Sequence, residues 1–193
     1  MTPVLFFGLT AALSPAHAGW SVTKNAGDCS YLQGSVGADG TTPVRVECEW
    51  SDVDAAALHG ILARPESHAA AFSGLSEARV VRRSGPSSQV YQRFAARGVS
   101  DREVVVEYSA EDVPAGRRYL WRKSADQSPL RGDAVEVPST EGKWEVTEAD
   151  GKVRLVYELR LKLGGLVPSF MVRWAQGGAV EQTIEELRTK VSR

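Results

Sequence analysis

Residues 153–163 hold the most regular pattern in the chain. Val153, Leu155, Tyr157, Leu159, Leu161 and Leu163 alternate with Arg154, Glu158, Arg160 and Lys162, and Val156 is the one apolar exception. A period of two over this length predicts an antiparallel strand with one dry and one wet face. Residues 44–50 repeat the pattern, with Val44, Val46, Cys48 and Trp50 opposite Arg45, Glu47 and Glu49. Asp39-Gly40 predicts a turn back to an earlier strand over 29–36, which places Cys29 and Cys48 on neighbouring strands. Further strands are expected at 77–82 and 88–94, on either side of Gly85-Pro86, and at 102–109, where Val104, Val106 and Tyr108 share a face. The segment 117–123 carries Tyr119 and Trp121 on one side. A weaker strand at 134–137 stops at Pro138, and a better one opens at Trp144 and Val146 and turns at Asp150-Gly151.

Two segments change period. Ser51 or Asp52 can cap a helix running to about His59, and Pro65 begins a second short helix over 66–72 that Gly74 ends. Beyond Gly164-Gly165 and Pro168, residues 170–190 can form one long helix. There Val180, Ile184, Leu187 and Val191 recur at helical spacing as an apolar stripe. Gly177-Gly178 predicts a kink or a close approach within it. Seven or eight strands and one long amphipathic helix must share a core, so the expected class is α+β, with the helix covering the apolar concave face of a strongly twisted sheet.

The first 18 residues change the picture of where this happens. Val4 to Leu13 is apolar or small apart from Thr10, and Ala16-His17-Ala18 fits a small-x-small cleavage site. The segment reads as a signal peptide, so the chain is expected to be exported, periplasmic in a bacterium or otherwise secreted. A membrane anchor or a buried N-terminal helix is the alternative, but Pro15 and His17 interrupt it. Residues 19–193 suit a single domain. In an oxidising compartment Cys29 and Cys48 form a natural disulfide; two reduced core cysteines are the other reading. The 23 basic and 24 acidic side chains give a net charge of -1. That balance supplies no electrostatic reason to bind nucleic acid.

Three local stretches resemble START-type (StAR-related) lipid-binding domains of the Bet v 1-like helix-grip superfamily. Trp50 to Phe72 looks like that family's strand followed by helices. Val99-Ser100-Asp101-Arg102-Glu103-Val104 resembles its Val-Ser-x-Arg-Asp-Phe stretch, with Glu103 in place of Asp and Val104 in place of the aromatic. Leu161 to Trp174 resembles its passage from the last strand through Gly-Gly-x-x-Pro into the C-terminal helix. The resemblance implies a helix-grip fold, a curved antiparallel sheet wrapped around the long C-terminal helix with an internal apolar cavity. It further implies binding, and transport, of one lipid, sterol or isoprenoid-like molecule.

A ligand of that kind needs an apolar concave lining with a few orienting polar groups. Candidates for the lining are Tyr91, Arg93, Val104, Val106, Tyr108, Tyr119, Trp121, Trp144, Leu155, Tyr157 and Leu159, joined by Phe170, Met171, Trp174, Val180 and Ile184 from the final helix. For each, ordinary core packing is the competing role. Arg93 follows Tyr91 by two positions on one strand face and is the candidate for a head group, with a salt bridge or solvent as the alternative. Arg102 is expected in a structural ion pair, and Glu107 in solvent. Gly164, Gly165 and Pro168 are expected to be structural, with a hinge over 164–168 as a further expectation. The ligand itself is the expected partner, with transient membrane contact during its exchange, no nucleic acid and a monomeric chain.

Catalysis has less support. His59 and His68 lie in the early helical region without an evident nucleophile, and no G-x-S-x-G or H-E-x-x-H stretch occurs. No metal or cofactor is expected. A helix-grip cyclase or hydrolase acting on a hydrophobic substrate, and an envelope protein-interaction module, are the alternatives.

Overall fold

The computed structural model describes residues 19–95, 100–165 and 177–193. The expected signal segment, together with Pro168, Phe170, Met171 and Trp174, lies outside the described residues. Ten strands form one sheet: β1 Trp20–Ala26, β2 Cys29–Gly34, β3 Val44–Trp50, β4 Leu75–Ser84, β5 Ser87–Phe94, β6 Arg102–Val113, β7 Gly116–Lys123, β8 Val135–Glu136, β9 Ser139–Ala149 and β10 Lys152–Lys162. Among the described residues the helices are α1 Ala55–Leu62, α2 His68–Ala71, just after a 3-10 turn at Pro65–Ser67, and α3 Gly178–Val191.

The main path runs β1-β2-β3-β10-β9-β7-β6-β5-β4, every neighbouring pair antiparallel. The short β8 adds to β6 in parallel, Arg102 opposite Val135. Among the described residues β1 and β4 have no further strand neighbour, so the sheet is open. This corrects the expectation of a curved sheet wrapped around the C-terminal helix. A helix about 10–12 Å across spans little more than two strands spaced about 4.8 Å apart, so α3 alone cannot be what such a wide sheet closes on. Instead α3 packs beside α1 and α2, and together they cover one face. Val180, Ile184, Leu187 and Val191 are buried there with Trp50, Leu58 and Leu155, as the apolar stripe predicts.

Local chemistry fixes the ends of these elements. Asp54, rather than Ser51 or Asp52, caps α1 by accepting from the backbone N–H groups of Ala56 at 2.8 Å and Ala57 at 3.2 Å, a cap worth about 1 kcal/mol. Gly177 precedes the first turn of α3, so the Gly177-Gly178 pair stands where the described part of that helix begins; the rest of the helix expected over 170–190 lies outside the described residues. At the other end of α3, Arg188 bonds Asp28 and Asp52. Cys29 and Cys48 are register partners on β2 and β3 and form a disulfide.

The outer face of β5 and β6 carries a second buried layer that simple alternation did not foretell. The loop 124–134 crosses it. The Gln127 side chain takes the place of a strand neighbour, donating to the Val105 carbonyl at 2.8 Å and accepting from the Val105 N–H at 3.0 Å. Glu103, almost fully buried, accepts from the Tyr91 hydroxyl at 3.0 Å and from the backbone N–H groups of Arg131 at 3.1 Å and Gly132 at 2.8 Å. The Arg79 and Arg131 guanidinium groups also lie over the Tyr91 ring.

Candidate ligand cavity

Between the inner face of the sheet and the helices lies a cavity of about 230 Å³. Its wall is built by cross-strand neighbours. Tyr108 on β6 faces Trp121 on β7, which faces Gly142 on β9; one step along, Trp144 on β9 faces Tyr157 on β10. The rings of Trp121, Trp144 and Tyr157 pack with centroids 4.1–6.3 Å apart, and Phe72 stacks on Trp144 at 6.0 Å. Gly142 makes this possible, since a Cβ there would stand 2.2 Å from the Trp121 ring. Leu159, Leu161 and Leu163 extend the apolar wall along and beyond β10, while Ala179 and Val180 contribute from α3.

Polar groups punctuate this lining. His68 is buried between Phe72 and Tyr108, edge-on to both rings, and its Nε2 has no hydrogen-bond partner. Burial pulls its pKa down to about 4, against the opposing pull of the Ile61 carbonyl, so the ring is neutral near pH 7. Tyr108 donates to the Leu62 carbonyl at 2.7 Å, and burial raises its phenol pKa. Burial also raises that of Tyr157. At the rim, Gln182 donates to Ser73 at 2.7 Å and to Glu186 at 3.0 Å, tying α3 to the turn after α2. Arg102, the first residue of β6, reaches the cavity six positions before Tyr108.

Of the sequence candidates, Tyr108, Trp121, Trp144, Tyr157, Leu159 and Val180 come together on the cavity wall. Val104, Val106, Tyr119, Leu155 and Ile184 are buried in the adjoining core without reaching it. Tyr119 instead bonds His59, with its hydroxyl 2.9 Å from Nδ1. Tyr91 and Arg93 do share one face, but it is the outer one. The register pairs them with Val105 and Glu103 and leaves Gln92 and Phe94 facing inward. Arg93 is held there by Asp101 at 2.8 Å and Asp133 at 2.9 Å, which corrects its placement in the lining. Arg102 has no ion pair among the described residues, contrary to the expected one. Glu107 pairs with Arg122 on the outer surface.

Sequence reasoning missed His68, Phe72, Gln92 and Thr140. Their only signal was the parity of β5 and β9 and the closeness of His68 to Phe72 at the two ends of one short helical segment. Gly164 and Gly165 adopt left-handed backbone angles of +71° and +67°. A side chain at Gly164 would meet Pro138 and the Glu136 carbonyl within 2.8 Å, so close packing accounts for that glycine. Among the described residues, no group of three or more His, Cys, Asp and Glu side chains is placed to hold a metal ion.

The chain has the fold of the START-type, helix-grip superfamily. It is similar to the STAR-related lipid transfer protein of Xanthomonas axonopodis, at 20% identity and a TM-score of 0.73, over 88% of this chain and 99% of that one. Human STARD10 matches at 16% identity and a TM-score of 0.79, over 91% of this chain and 74% of that one. Human StAR-related lipid transfer protein 5 matches at 13% identity and 0.76, over 90% and 86%. At these identities the likeness is one of fold. No protein-family model matches the sequence, and no curated protein matches it.

Proposed function

We propose that the protein reversibly binds one hydrophobic small molecule in the cavity beside α3 and carries it between membranes. The observation that carries this reading is the continuous aromatic and aliphatic wall, from Phe72 and Trp144 to Leu161, around about 230 Å³ of space. Well-packed cores leave few voids larger than a water molecule, so an apolar space of this size is unusual for a purely structural interior. It lies just below the roughly 300–1,000 Å³ of ordinary ligand pockets, which suits one slender molecule better than a two-chain phospholipid. The likeness in fold to proteins named for lipid transfer supports the same reading. The Cys29–Cys48 disulfide supports an oxidising location outside the cytosol.

Native mass spectrometry of freshly purified protein, followed by solvent extraction, tests the reading. The expected result is a one-to-one complex whose extra mass leaves with the organic phase. A protein that carries nothing and takes up no amphiphile on incubation would overturn it.

A further inference from the structure

Arg102 occupies an unusual position for an arginine. It is 4% exposed, faces the cavity, and its Nε has no hydrogen-bond partner. Among the described residues the guanidinium makes one bond, from Nη1 to the Ser100 carbonyl, and no carboxylate stands within ion-pair range. The other half-buried arginines are treated differently. Arg93 has Asp101 and Asp133, Arg45 has Glu158, and Arg118 has Glu145 and Glu111. Where this chain draws an arginine inward, it normally supplies the acid.

An unpaired buried guanidinium is costly, because the cavity replaces neither its water nor its counter-charge. We infer that Arg102 is the head-group site of the cavity and that its ligand is a single-chain amphiphile with an anionic head, a carboxylate or a phosphate monoester. This rests on the cavity being a ligand site. A planar fork of N–H donors matches two oxygens of either anion, and the pairing is strong where water is excluded. Gln92, diagonally across from Arg102 on the same face of β5, and buried Thr140 on β9 add polar side chains to the cavity wall.

The geometry sets the orientation. Arg102 and Tyr108 lie on one face of β6, six positions apart, or about 20 Å of strand. The aromatic cluster and neutral His68 are therefore at the far end from the charge, where the apolar tail belongs. Carboxylate and phosphate heads differ in source and charge, but both require an anion at Arg102. A sterol or an uncharged isoprenoid would leave Arg102 unpaired.

Binding of palmitate, hexadecyl phosphate and hexadecanol by the full exported chain tests this, using wild type, Arg102→Gln and Arg102→Lys. Wild type should bind at least one anion about tenfold or more tightly than the alcohol, a ratio typical of one charge-assisted contact. Which anion binds tighter identifies the head. Arg102→Gln should erase the preference while still binding the alcohol, and Arg102→Lys should restore part of it. Thermal unfolding of the ligand-free variants provides a second readout. Arg102→Gln should melt no lower than wild type, because an unpaired charge has been removed. An unchanged anion-to-alcohol ratio in Arg102→Gln, or equal binding of all three by wild type, would overturn the inference while leaving the cavity reading standing. Failure of all three amphiphiles to bind would overturn both.

Discussion

Acid should weaken this fold through His68, and substitution of that one residue should abolish the corresponding part of the pH dependence. The imidazole is 4% exposed, enclosed by Phe72, Tyr108 and the end of α1, with a folded-state pKa of about 4 against about 6.5 in the unfolded chain. The folded state resists the proton and the unfolded state accepts it. The stability associated with neutral His68 is therefore fully present above pH 6.5, declines as pH falls toward 4, and is constant below. A shift of this size, at 1.36 kcal/mol per unit, corresponds to ~3 kcal/mol. That is a large fraction of a typical domain's 5–15 kcal/mol, roughly speaking. Urea unfolding of wild type and His68→Gln between pH 7.5 and 4 isolates the effect. Any constant cost of the substitution drops out, because the readout is the difference in slope. Burial also lowers the His59 pKa, but His59 is common to both proteins and cancels. Wild type should lose roughly 2–3 kcal/mol more than the variant over this range. Parallel curves would refute the reasoning, and with it the picture of a neutral histidine at the apolar end of the cavity.

Three further outcomes follow from particular contacts. Gly142→Ala should displace Trp121 and cost about 1–3 kcal/mol, since the new methyl would meet both the indole and the Glu158 carbonyl; near-UV circular dichroism and urea unfolding check it. Reduction of Cys29–Cys48, or its replacement by two alanines, should cost about 3 kcal/mol by freeing the 19-residue separation in the unfolded chain, read from the unfolding midpoint with and without reductant. Arg93→Ala should leave ligand affinity within about threefold of wild type, because its charge is spent on ion pairs with Asp101 and Asp133 on the outer face; a larger loss in an equilibrium binding titration would contradict that placement.

The inner face of β10 and the stripe of α3 were legible because each packs against the core on one side only. Period two and period 3.6 then stand out directly from the residues. The cysteine pair was legible for a related reason, a turn signal leading back from the alternating run 44–50 to an earlier strand. β5 and β6 were harder. Val105, Tyr91 and Glu103 are buried on the outer face under the loop 124–134, so both faces look partly apolar and parity cannot say which is inside. That ambiguity placed Arg93 in the lining and overlooked Gln92. β1, mostly exposed at a free edge, carries no hydrophobic alternation to announce it. The openness of the sheet was not legible either, because register and edge pairing depend on partners far apart in sequence.

The Arg102 result has the same origin. A motif arginine at a strand start suggests an ion pair when read along the chain, yet the nearby acids are committed elsewhere. Asp101 turns to Arg93, and Glu103 points to the outer face, to Tyr91 and the loop. Only the alternation of β6, with its known register, puts Arg102 on the cavity side, on the face opposite Glu103.

The most direct test of ligand binding in the cavity uses its own fluorophores. Trp121 and Trp144 line the wall, so an amphiphile brominated near the end of its acyl chain should quench tryptophan emission saturably, with a one-to-one end point. In a Trp121→Phe, Trp144→Phe double variant most of that quenching should disappear while binding, followed by calorimetry, persists. Quenching that is absent at saturation, or equal in the double variant, would place the ligand elsewhere and contradict a cavity site.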